Sequence, residues 1–148
     1  MHEKAAPVHA MSDIIRFGVS LEKALLDRFD TLIRKRKYTN RSEAIRDLIR
    51  KEFVRTEWGD DREVAGAITY IYDHHKKDVL TTIIDIQHDF QKLIISTQHI
   101  HLDHDHCLEV VVVRGKARGI EALADMLTAV KGVRHGTLSM SSTGKSLR

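Results

Sequence analysis

A second cysteine is missing from this 148-residue sequence, so no internal disulfide can form. That excludes a disulfide-stapled secreted fold and leaves Cys107 as a free thiol or a ligand. No unbroken apolar run approaches the roughly 20 residues that a membrane helix needs, which points to a soluble chain. The N-terminal "MHEKAAPVHAMSD" has no apolar stretch of the secretory kind, so a reducing cytoplasm is the expected setting. Proline is almost absent too: the only one is Pro7, and residues 1–12 around it show no periodicity, as expected of a flexible N-terminal arm. With 42% hydrophobic and 30% charged residues the chain is globular in composition. Its length suits one domain or two small ones, and small parts of this size often lean on partners for a sufficient core.

Positive charge is modest in sum but uneven in placement. The net charge is +3, yet "RKRK" (Arg34 to Lys37) and Arg41, Arg46, Arg50, Lys51 and Arg55 all fall in the first 55 residues. Such a cluster is the electrostatic footprint of a nucleic-acid binder. Taken alone, a basic cluster of this size is more often a solvated helix face.

Periodicity divides the chain. "DIIRFGVS" alternates, with Ile15, Phe17 and Val19 on one face and Arg16, Gly18 and Ser20 on the other, which predicts a strand. From Leu21 the spacing turns helical, with Leu25, Leu26, Phe29, Leu32 and Ile33 in line and Ser20 as the expected N-cap. A second helix begins in "TNRSEAIRDLIRKEF", where Asn40 and Glu43 have capping-box spacing. A lone strand must find a partner for its backbone groups, and the simplest one is a second copy of itself. Two such strands paired antiparallel across a two-fold axis make a ribbon that fits the DNA major groove. Arg16, Gly18 and Ser20 would then face base edges, while Ile15, Phe17 and Val19 pack on the helices.

After "TEWGDD", expected to be a hinge over residues 57–63, the order is strand, helix, strand, strand, helix, strand. That β-α-β-β-α-β sequence is the ferredoxin-like arrangement, an antiparallel sheet with helices on one face. The first of these helices should turn Val79, Leu80, Ile83, Ile84 and Phe90 inward, and "CLEVVVVRG" reads as a central strand buried on both faces. The tail "STGKSLR" is expected to be flexible.

The densest chemistry is "QHIHLDHDHC", Gln98 to Cys107. His99 and His101 lie two apart on a strand and project from one face. A hairpin through "LDHDH" would return the Cys107 thiol toward them. Imidazole nitrogens with a thiolate suit nickel, copper and zinc and disfavour magnesium or calcium. A fourth donor is missing locally; His88 is the candidate, best supplied by a neighbouring subunit, although a helical histidine is also a common surface or capping residue. His104 and His106 flank the turn as solvated residues or loose secondary ligands, His74 and His75 carry no spacing signal, and Glu109 is a candidate to orient ligands from behind.

These residues together resemble a known family. "YTNRSEAIRDLIR", "YIYDHH", "IDIQH", "HIHLDHDHCLE" and "GVRHG" are similar to the nickel-responsive transcriptional regulators of the NikR family, over essentially the whole chain. The resemblance implies an α+β protein. An N-terminal ribbon-helix-helix (β-α-α) DNA-binding domain over residues 13–56 is followed by the hinge and by an ACT-like regulatory domain over residues 64–142, with a tail at 143–148. It implies a homotetramer, a dimer of dimers, with one Ni(II) per subunit held in a square plane by His99, His101 and Cys107 of one subunit and His88 of a neighbour. Glu109 would support the ligands, and Glu43 and Asp47 would hold a second cation when DNA is bound. In one respect the chain departs from the family, which tends to carry a hydroxyl residue where Gly18 stands, so operator sequences do not transfer from relatives. The expected function is nickel-dependent repression of nickel uptake genes through a two-fold symmetric DNA operator. The alternative is nickel storage or delivery without specific DNA binding. An enzyme is not expected, because four protein donors in a plane leave no open position for a substrate.

Overall fold

A computed structural model describes residues 14–147. They form two compact units, one ending at Ile45 and one spanning Arg46–Leu147. The arm expected at residues 1–12 lies outside the described residues.

The first unit contains helix α1 (Lys23–Arg36) and the start of α2 (Arg41–Gly59). Ile33 and Ala44 are its buried apolar side chains. The Asn40 side chain accepts the Glu43 backbone N–H at 2.9 Å, half of the capping box expected there. Arg41 reaches back with a fork of two bonds to Asp30, 2.8 and 2.7 Å. The Ser20 cap does not form: α1 starts two residues later, with Glu22 at the cap position and no side-chain bond to the helix. Residues 14–20 form no strand within the single chain, and Ile14, Ile15, Phe17 and Val19 are all exposed. A strand exists only with a partner for its ladder, and none of this chain's described residues supplies one.

The second unit is a four-stranded antiparallel sheet, β1 (Glu63–Asp73), β2 (Ile94–His101), β3 (His106–Lys116) and β4 (Val133–Met140), in the order β2-β3-β1-β4. Helices α3 (Lys77–Asp89) and α4 (Ala117–Thr128) supply the apolar side chains that complete its core. Alternation decides which strand residues enter that core: Val64, Ile68, Tyr70 and Tyr72 from β1, and Cys107, Glu109, Val111 and Val113 from β3, are buried. Each isoleucine or leucine in this layer contributes roughly 1.5–3 kcal/mol. Strand β3 is central as expected, but only one of its faces is fully buried, since Leu108, Val110 and Val112 are half-exposed.

Two further expectations change. On α3 the inward row is Val79, Ile83 and Ile86, while Ile84, one residue and about 100° further round the helix, points outward. The expected hinge begins later than residue 57, because α2 continues through Gly59. Trp58 belongs to the core of the second unit, and its indole N–H donates to the Ser141 carbonyl at 2.8 Å. The tail is not featureless either: Ser146 bonds the Glu57 carboxylate through its hydroxyl.

Candidate metal centre

Sheet order sets the site. Cys107 is the second residue of the central strand β3, so it has a neighbour on both sides: His101 directly opposite on β2 and Tyr72 directly opposite on β1. Chain continuity past Tyr72 and Asp73 then brings His74 beside the same sulfur. The result is a compact group in which Cys107 Sγ lies 3.2 Å from His101 Nδ1 and 3.1 Å from His74 Nδ1. All three donor atoms lie within 4.8 Å of one another. The sulfur is buried, His74 is half-buried and His101 is exposed, so the group opens to solvent on its imidazole side.

His99, the next candidate along β2, is held from behind. Its register partner is Glu109, a carboxylate only 5% exposed. Tyr72 donates its hydroxyl proton to Glu109 at 2.8 Å, and Gln87 donates to the other carboxylate oxygen. His99 Nδ1 is 3.1 Å from the Tyr72 oxygen. Because the tyrosine has one proton and gives it to Glu109, the imidazole must be the donor at Nδ1, which leaves Nε2 with its lone pair free for a metal. The His99 and His101 rings stand 4.9 Å apart, which places His99 beside the group around Cys107 without joining its donors.

The electrostatics follow from burial and nearby carboxylates. Burial first, then the charges of Asp103, Glu109 and Asp73, push the Cys107 thiol above its ordinary value. Burial and the neighbouring imidazoles of His75 and His101 lower the pKa of His74, keeping it neutral and able to donate a lone pair. Burial raises both Tyr70 and Tyr72, with Glu109 adding to the effect, so the two hydroxyls remain proton donors. Neutral imidazoles around one soft sulfur fit the late first-row divalent metals, nickel among them.

The structure therefore brings His101 and Cys107 together and adds His74, which sequence spacing passed over, while His99 is not among the donors within 4.8 Å and has its Nδ1 on Tyr72. The missing signal was register: only the pairing of Asp73 with His106 carries the β1 terminus to the hairpin. His88 lies on the last turn of α3, exposed, and is not among the donors gathered around Cys107 in the same chain. His106 Nδ1 is 3.0 Å from both oxygens of Asp103, whose Oδ1 also accepts the Asp105 and His106 backbone N–H groups, so this histidine stiffens the hairpin turn. At the other end of the chain Arg16, Gly18 and Ser20 are exposed, and nothing stands within 4 Å of where a Gly18 Cβ would be. Glu43 and Asp47, one turn apart on α2, are half-buried, and Asp47 pairs with Lys51 at 2.7 Å.

Residues 65–141 match the NikR C terminal nickel binding domain, and residues 15–56 match the ribbon-helix-helix protein, copG family. The chain belongs to the NikR family. A nickel-binding domain joined to a ribbon-helix-helix domain is the make-up of a nickel-responsive, DNA-binding transcription regulator rather than an enzyme. Among the relatives, a protein of Syntrophus aciditrophicus is 64% identical over 91% of this chain and 98% of its own length. One from Chlorobium phaeobacteroides is 55% identical over 89% and 98%, and one from Thermococcus kodakarensis 53% over 90% and 98%. Each bears the name "Putative nickel-responsive regulator". A solved structure, an uncharacterized protein from Thermotoga maritima, aligns at TM-score 0.47 and 15% identity over 52% of this chain and 98% of that one. No helix among the described residues is long and apolar enough to cross a membrane.

Proposed function

We propose that this NikR-family protein is a nickel-gated repressor of nickel uptake genes, acting in the cytoplasm. His99, His101 and Cys107 of one subunit and His88 of a neighbour hold one Ni(II) per subunit in a square plane, with Glu109 supporting His99 through Tyr72. The observation that carries this reading is the cross-strand pairing of His101 with Cys107, 3.2 Å between donor atoms, in a chain that also has a ribbon-helix-helix domain. A planar set of nitrogen and thiolate donors is what nickel prefers, whereas zinc prefers a tetrahedron.

In this reading residues 13–56 bind DNA and 57–63 form the hinge, of which the turn after α2 is the part able to bend. Residues 64–142 bind metal and join subunits into a homotetramer. The exposed Ile15, Phe17 and Val19 are covered by a second copy, and Arg16 and Ser20 read a two-fold symmetric operator. Glu43 and Asp47 hold a second cation when DNA is bound. Nickel acts by linkage: bridging two subunits favours the arrangement in which both ribbons reach the operator, and a coupling of roughly 1–3 kcal/mol makes a useful switch.

The test is recovery of sheared genomic DNA on the immobilised protein, with a chelator or with one nickel per subunit, followed by sequencing. Enrichment of a symmetric site near transport genes only with nickel is expected. Equal enrichment in both samples would separate DNA binding from the metal, and none in either would favour nickel storage or delivery.

A further inference from the structure

The chain between α2 and β1 is tied more tightly than a flexible connection needs. In the turn that ends α2, the Arg62 N–H donates to the Glu57 carbonyl at 2.9 Å and the Asp61 N–H to the Trp58 carbonyl at 3.3 Å. That pair of bonds is a Schellman closure, whose reversing residue is left-handed and usually glycine. Here it is Asp61, at φ 52°. A side chain in that region persists where its surroundings hold it there, and aspartate is one of the few that tolerates it.

What holds Asp61 is a second helix. Its Oδ1 accepts the Arg118 backbone N–H at 2.9 Å, and the Arg62 carbonyl accepts the Ala117 N–H at 3.1 Å. These are the first two amides of α4, which have no partner inside the helix, and the residue at the cap position, Lys116, makes no side-chain bond to them. One aspartate therefore ends α2 with its backbone and caps α4 with its side chain. A second tie to the end of α2 comes from residues 141–147. The Ser141 N–H donates to the Ala65 carbonyl of β1 at 2.9 Å, the Ser141 carbonyl accepts the Trp58 indole N–H at 2.8 Å, and the Ser146 hydroxyl donates to the Glu57 carboxylate. All of these residues belong to the second compact unit, Arg46–Leu147, whereas α2 begins in the first.

We propose that Asp61 is a positioning residue of the nickel switch: it clasps the turn after α2 to α4, with residues 141–147 as the second half of the clasp, so that the hinge moves between defined positions and does not swing freely. This rests on the nickel-gated reading above. Metal and DNA can be coupled only through an element with discrete arrangements that both of them bias. A loose linker would spread the DNA-binding unit over many orientations, and ordering it on the operator would then cost the same entropy with or without nickel. A clasped turn keeps α2 in register with the sheet and helices that carry the metal donors.

The test compares full-length wild type, Asp61→Gly and Asp61→Asn. Glycine suits the left-handed backbone and removes only the carboxylate, while asparagine keeps both an acceptor oxygen and the tolerance for that backbone. Two quantities are read: hydrogen exchange at the Arg118 amide, and the gain in affinity for the genomic DNA recovered above when one nickel per subunit is added. Asp61→Gly is expected to speed Arg118 exchange and to cut the nickel-dependent gain about fivefold, the effect of losing a helix cap of typical strength. Asp61→Asn should restore both, and nickel affinity without DNA should match the wild type in each, because Asp61 is not among the metal donors. Unchanged Arg118 exchange in Asp61→Gly would refute the clasp. Faster exchange with the full nickel-dependent gain would make Asp61 a helix cap only and overturn its part in the switch. Ser146→Ala, at an exposed site, should speed exchange of the Asp60 to Arg62 amides, and no change there would remove residues 141–147 from the clasp. A wild type that binds DNA equally with and without nickel would overturn the nickel-gated reading and the switch with it, while Arg118 exchange still decides whether Asp61 joins the two helices.

Discussion

His101 and Cys107 face each other across β2 and β3, with the imidazole Nδ1 3.2 Å from the sulfur. The two side chains are placed by backbone hydrogen bonds on both sides of the four-residue turn, so they converge before any metal arrives and little ordering is needed on binding. The sulfur is the one thiol in the chain. Cys107→Ser removes it with almost no change of volume, and is expected to lower nickel affinity by more than the roughly 10–100-fold typical of losing an outer partner. The nickel–thiolate absorption should vanish while thermal unfolding stays close to wild type. Unchanged nickel affinity in a chelator competition would remove Cys107 from the ligand set.

Tyr72 joins that group to the buried carboxylate. Its hydroxyl donates to Glu109 and accepts from His99, so Tyr72→Phe deprives one buried acceptor and one imidazole donor at once. Hydrogen bonds to charged groups contribute about 1.5–3 kcal/mol, and denaturant unfolding should show a loss of that size. Nickel affinity should fall about tenfold, as His99 loses the contact that fixes its tautomer. A variant that is destabilised but binds nickel normally would show that Tyr72 serves the core and not the ligand.

The contrast between His101 and His74 shows what sequence spacing can carry. A tight hairpin makes the pairing of His101 with Cys107 a local property, legible from six residues. His74 reaches the same sulfur only because β1 pairs with β3 in a register that sets Asp73 against His106, a relationship between segments 33 residues apart that no local spacing encodes. The α+β arrangement was legible for a similar reason: period two and period 3.6 are local. Trp58 was not, because its pull into the second unit depends on a carbonyl at Ser141, and so the end of α2 read as a hinge. On α3, both Ile84 and Ile86 fit an apolar stripe, and only packing chose between them. The segment 14–20 lies at the other limit: its alternation predicts a strand, yet no partner strand for it stands among the described residues.

Proton release gives an independent measure of the ligands. The thiol of Cys107 is held above its ordinary value by burial and by Asp103, Glu109 and Asp73, so at neutral pH the metal-free group carries that proton. The imidazole of His74 is held below its ordinary value and needs no deprotonation there. Nickel must expel one proton to bind a thiolate, so its apparent affinity is expected to rise about tenfold per unit between about pH 7 and pH 8. The sign is fixed by the direction of the thiol shift: raising the pH removes the competing proton and strengthens binding. Chelator competition across this range checks it, and a flat profile would mean that nickel is held without the sulfur.

Phe17 and Arg16 are adjacent residues on opposite faces of the expected ribbon, and they separate assembly from base reading. Phe17 is 71% exposed in the single chain, a cost that a second copy would remove. Its burial in a ribbon is worth about 1.5–3 kcal/mol per copy. Phe17→Asp should therefore destabilise the paired ribbon by about 3–6 kcal/mol across two copies, enough to lower operator affinity by about 10²–10⁴-fold. Nickel binding by the second unit should persist. Arg16→Ala leaves the apolar face intact, so assembly measured by sedimentation should match the wild type. Each lost base contact should cost about 1–3 kcal/mol of discrimination between operator and random DNA. If Arg16→Ala kept full discrimination, the outward face would not be the reading face. If Phe17→Asp still bound operator at wild-type strength, the apolar residues of this segment would be covered by something other than a second ribbon.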